Sequence, residues 1–135
     1  MKVSYLEKRK IQKFVDSLAI NKLTGFFPSF VSKNLNVNIA QVTSILDDLV
    51  REGVLGKEFI LYNPDNFNEK AVFKTEDEVK RHLYSFYDEF NFGESFYVEP
   101  DMIFVFYTIT EEYREAMREE KEQIPKKLYR LVQVR

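Results

Sequence analysis

Between Phe26 and Asn63 the chain is punctuated so closely that only short helices and a hairpin fit between the marks. Phe30, Val31 and Leu35 supply one apolar helical face, and Asn36 to Asn38 form a polar break. Ile39, Val42, Leu46 and Leu49 then recur at helical intervals. Asn38 is a favourable N-cap because its side-chain oxygen can accept from an unpaired N–H of the first turn. Gly53 ends the helix by tolerating a left-handed backbone. Upstream, Pro28 disfavours helix at Phe27 yet suits the first turn that follows. Val54, Leu55, Gly56, Lys57 and the run Phe59 to Tyr62 have the pattern of a hairpin.

The segment from Val37 through Gln41, Ser44, Asp47, Asp48, Arg51 and Gly53 to Leu55 resembles the recognition-helix-to-wing portion of the winged helix-turn-helix superfamily. The resemblance covers about residues 1–63 and implies a fold common among transcription regulators. A first helix, opened by Ser4 with Glu7 three residues on, would pack Ile11, Phe14, Val15 and Leu18 behind it. Phe26 and Phe27 suggest a short strand against the wing.

Asn63, Pro64, Asp65 and Asn66 mark the best internal boundary, giving a winged-helix domain at 1–63 and a small α+β dimerisation or interaction domain at 64–135. In the second unit a strand is expected at Lys70 to Lys74. A capping box of Thr75 and Glu78 opens a helix with Val79, Leu83, Phe86 and Phe90 on one face. Strands at Phe96 to Val98 and Met102 to Ile109 flank a turn at Pro100. The second is a continuous apolar run, the pattern of a strand covered on both faces. A helix from Thr110 to about Glu122 and a last strand from Leu128 to Val134 complete the order. The fold class is therefore α+β, with a second unit in the βαββαβ order of a ferredoxin-like sandwich. A winged helix followed by such a unit is similar in layout to the feast/famine, or leucine-responsive, regulators, although only Asp101 stands where their effector half carries a glycine and an aspartate.

A chain of 135 residues with 44% hydrophobic residues buries a core without a metal or disulfide staple. It contains no cysteine, which removes disulfides and thiolate metal sites and fits a reducing, cytoplasmic compartment. The longest apolar run, Met102 to Tyr107, is too short to cross a bilayer. No glycine-rich phosphate loop, nucleophile elbow or metal-ligand spacing occurs, so neither an enzyme nor a cofactor is expected. His82, with Glu78 one turn earlier, suggests a surface ion pair. The formal net charge is -2, unevenly divided. Residues 1–63 hold nine Lys or Arg against six acids, and residues 64–135 hold eleven against sixteen. A polyanion would meet the first half.

Two functions fit these patterns. In the first, the chain is a DNA-binding transcriptional regulator acting as a homodimer on double-stranded DNA. Asn38, Gln41, Thr43, Ser44 and Arg51 are the base-reading candidates, and Lys10, Lys33 and Lys57 are the phosphate contacts. Lys8, Arg9, Lys10 and Lys13 add a basic cluster on the first helix. In the second, a winged-helix scaffold serves as a protein-interaction adaptor without touching DNA. The acids Asp47, Asp48 and Glu52 on the recognition helix favour this alternative, because duplex affinity rests on cations neutralising phosphate.

Overall fold

The computed structural model describes residues 5–21, 23–63, 66–87 and 96–120, which fold as an α+β unit. Helix α1 (Tyr5–Ile20), strand β1 (Gly25–Phe26), helix α2 (Pro28–Leu35) and helix α3 (Ile39–Arg51) come first. They are followed by β2 (Leu55–Asn63), β3 (Asn66–Phe73), α4 (Glu76–His82), β4 (Phe86–Tyr87), β5 (Phe96–Tyr97) and β6 (Ile103–Ile109). A fifth helix, α5, occupies residues 111–120.

Local chemistry sets the helix ends. Pro28 opens α2, and Asn36 closes it in the left-handed region at φ 53°. Two residues on, the Asn38 side chain accepts from the Ala40 N–H at 2.8 Å and starts α3. Gly53, at φ 79°, turns the chain out of α3 toward β2. Thr110 caps α5 by accepting from the Tyr113 N–H, and its hydroxyl donates to the Val54 carbonyl, tying that helix to the end of α3. The Ser4 cap expected for α1 and the strand expected at 128–134 lie outside the described residues.

Four strands form one antiparallel sheet in the order β1-β6-β2-β3, while β4 and β5 pair separately. Strand β6 pairs with β2 from Leu55 opposite Ile109 to Leu61 opposite Ile103. On its other side it meets β1 only at Tyr107 and Thr108. The close approach there requires Gly25, since a Cβ would stand 2.4 Å from the Tyr107 carbonyl oxygen. Alternation along the strands puts Leu55, Phe59, Leu61, Phe73, Tyr107 and Ile109 on one face of the sheet. The helices lie on that side. Ile11, Val15, Val31, Val42 and Leu46 pack with Leu55 and Tyr107 in one core cluster, and Val79, Tyr87 and Val98 pack with Leu61 and Phe73 in a second.

Several sequence expectations change. The short strand after Thr24 pairs with β6 rather than with the wing, because β6 inserts beside β2. Strands β2 and β3 pair with each other, so residues on both sides of position 63 share one sheet. A ferredoxin-like sheet would set β3 beside β6, but β2 separates them, and the described strands do not make that arrangement. Helix α4 stops at His82 instead of continuing to Phe90. Tyr84 takes a positive φ of 59°, and its N–H donates to the Val98 carbonyl at 2.8 Å. Pairing with β5 thus replaces the next helical turn. His82 stacks on Phe73 with ring centroids 5.0 Å apart instead of pairing with Glu78. Finally, β6 is not covered on both faces by the described residues: Phe104 is 46% exposed.

Candidate nucleic-acid interface

Helices α2 and α3, joined by a three-residue turn, place α3 with Val42, Ile45, Leu46 and Leu49 inward. The opposite surface carries Ala40, Ser44 and Arg51 exposed, with Gln41 and Thr43 half-buried between. The base-reading candidates therefore share one helix but not one state. Asn38 is committed through its oxygen to the α3 cap. The Thr43 hydroxyl donates back to the Ile39 carbonyl at 2.8 Å, which commits its proton within the helix. Gln41 has its own contacts within the chain. Ser44 is exposed and points from the middle of the helix. Arg51 is ion-paired with Asp48 one turn earlier.

The acids of α3 are arranged differently from a helical-wheel reading. Asp47 turns toward the sheet, where one carboxylate oxygen accepts from Lys57 Nζ at 2.9 Å and from the Tyr107 hydroxyl at 2.8 Å. Lys57 also lies 5.8 Å from the centre of the Tyr107 ring and 5.6 Å from that of Phe59. Helix, hairpin and central strand are thus held at one carboxylate. The sequence signal for this contact was Tyr107 itself, the hydroxyl-bearing ring in an otherwise apolar run, since a buried phenol needs a partner. Asp48 is offset by Arg51. Of the three acids that weighed against DNA, Glu52 is left at the C-terminal end of the helix, away from Ser44.

Of the phosphate candidates, Lys57 is spent on Asp47, and Lys10 donates to the Leu35 carbonyl at 2.9 Å at the end of α2. A cation there is favourable because the last carbonyls of a helix carry partial negative charge. Lys33 is exposed on α2, and Lys8, Arg9 and Lys13 are exposed on α1. Of these candidates and the α1 cluster, the exposed cations not engaged in such contacts therefore lie on α1 and α2.

Two tyrosines lock the helices to each other and to the sheet. Tyr107 donates to Asp47, and the Tyr113 hydroxyl donates to Asp16 of α1. Burial first, then the hydrogen bond to the carboxylate and its negative charge, pushes both hydroxyls well above the ordinary tyrosine range. A folded-state value raised above the unfolded one contributes stability that is complete below about pH 10 and is lost as pH rises beyond it. Absorbance titration should show at least two of the eight tyrosines ionising only together with the alkaline loss of circular dichroism. Ionisation of all eight before any loss of structure would contradict these contacts.

No family model, curated protein or solved structure matches this chain. The functional reading therefore rests on its own geometry. Among the described residues no group of three or more His, Asp or Glu is disposed to hold a metal, and no helix is long and apolar enough to cross a membrane.

Proposed function

We propose that α1 to α3 with the β2–β3 hairpin form a winged helix-turn-helix and that the protein is a DNA-binding transcriptional regulator using α3 in the major groove. The observation that carries this reading is the inward turn of Asp47 onto Lys57 and Tyr107. It takes one acid off the outer surface, and the Asp48–Arg51 pair offsets a second. What remains around Ser44 carries no net charge, a surface able to approach base edges. The exposed Lys8, Arg9, Lys13 and Lys33 supply the adjoining cations. Ser44, Gln41 and Thr43 are the base-facing residues in this reading, with Asn38 setting the helix start.

Fluorescence anisotropy of a mixed-sequence duplex tests it directly. Affinity should fall at least about tenfold between about 50 mM and about 200 mM salt, as phosphate neutralisation by several cations requires. A folded sample that leaves the duplex unbound at the lower salt would reject DNA binding. A second reading, a protein-interaction adaptor, is favoured by one observation: Arg51, Lys57 and Lys10 are all engaged within the chain. In that case basic proteins rather than duplex should compete for the α3 surface.

A further inference from the structure

The sheet has a second face on which, among the described residues, no helix or strand lies. Alternation from the helix side assigns Ile60, Tyr62, Val72, Phe104 and Phe106 to it. The rings of Tyr62 and Phe104 meet edge to face at 5.5 Å, and Phe27 meets Phe106 likewise at 5.0 Å. Ile60 is already buried between its cross-strand neighbours Phe104 and Val72, which are 46% and 42% exposed. Beyond the end of β1 the band continues into an apolar groove of about 560 Å³ between Pro28 and Ile39, at the starts of α2 and α3, and the edge of β6 at Ile103 to Val105, which no described strand pairs.

We propose that this face is a self-association surface, covered in solution by the same face of a second copy of the chain. Three observations favour an identical partner. First, β6 is apolar on both faces in sequence, the pattern of a strand with two covered sides, yet the described residues cover only the helix side. Second, the face offers little charge to read. Glu58 and Lys74 neutralise each other at its rim, leaving Lys70 as the uncompensated charge among the described residues. An apolar centre with a polar rim is interface anatomy, and a flat apolar face complements itself about a two-fold axis. Third, the size is right. Three strands about 25 Å long and the two-residue β1, spaced about 4.8 Å apart, give roughly 400 Å² in projection, and the groove adds a further strip. Accessible area exceeds projection on a surface of protruding side chains, so the face reaches the size of a small, weak pair, below the ~800 Å² per partner of a standard one. Patches this large are seldom left bare on a monomer. Two such sheets would stack about 10 Å apart.

Only the first residue of α3, Ile39, reaches the groove, and Ser44 lies on the other side of the sheet, so the flat face is tested independently of the DNA reading. Sedimentation equilibrium from about 1 µM to about 500 µM should show the average mass rising from one chain toward two. Phe104→Glu and Val72→Lys should each return it to one chain over the whole range while preserving circular dichroism, both sites being well exposed. Ser44→Ala, on the far side, should leave association unchanged. The chain contains no cysteine, so a spin label at Lys70→Cys reports the contact without other labelled sites. Stacked sheets should give a label-to-label distance within about 30 Å. A wild-type chain that stays single at every concentration would overturn the proposal and leave a different partner for the face. So would a pair that survives in folded Phe104→Glu and Val72→Lys, or a labelled pair without a distance in that range.

Discussion

Tyr107→Ala should cost about 3–5 kcal/mol of stability, as truncation of a fully buried large ring does when its surroundings collapse only in part. Tyr107 is wholly buried in the central strand, stacks against Phe26 with centroids 6.2 Å apart, and donates its hydroxyl to Asp47. The substitution removes the ring from the main core and leaves Asp47 with Lys57 alone. Against a total of about 5–15 kcal/mol for a typical domain, the loss should appear as a large drop in the thermal and urea midpoints. Tyr107→Phe separates the two contributions. Keeping the ring and losing the hydroxyl should cost about 1 kcal/mol, because Lys57 still neutralises the carboxylate. If alanine and phenylalanine cost the same, the ring is not packed as described.

The second large effect concerns α3. Ser44→Glu places a negative charge in the middle of the exposed surface, between the half-buried Gln41 and the Asp48–Arg51 pair. For a helix lying in the major groove, repulsion from phosphate and from base-edge acceptors should lower duplex affinity on the order of 100-fold. The unfolding midpoint should stay within about 0.5 kcal/mol of wild type, since the position is exposed. Unchanged duplex affinity in the Ser44→Glu protein would detach α3 from DNA and leave the adaptor reading in place. Charge reversal on α1, as in Lys13→Glu, should act differently. It should weaken binding to all sequences alike and flatten the salt dependence, as expected of a backbone contact.

Much of α2 and α3 was legible because their ends are set by neighbouring residues. Pro28, Asn36, Asn38 and Gly53 each act within a few positions of themselves, and the structure finds each at the helix boundary its chemistry favours. The capping of α4 by Thr75 was legible for the same reason, its hydroxyl accepting from the Glu78 N–H. Its early end was not, since the competing bonds come from Val98, well over ten positions later. Sheet order was equally hidden. The apolar run at 103–109 announces a strand, but periodicity carries no information on which neighbours it will choose. Asp47 shows the same limit at the candidate site. On a helical wheel it is a solvated acid, and only its pairing with Tyr107, sixty positions away, turns it toward the sheet. Local rules located the helix that would meet DNA, while long-range contacts decided which of its charges remain outside.

The placement of β6 between β1 and β2 also governs the order of events on the ribosome. Helices α1 to α3 can begin to pack as soon as residue 51 has emerged. Strands β1 and β2, however, are not neighbours and have no common partner until residues 103–109 arrive. Gly25 must wait for Thr108, a loop closure of the kind that slows folding. Until then the part of the nascent helical layer that β6 covers stays open to solvent and to other chains. Late synthesis of one strand therefore closes what the earlier residues begin.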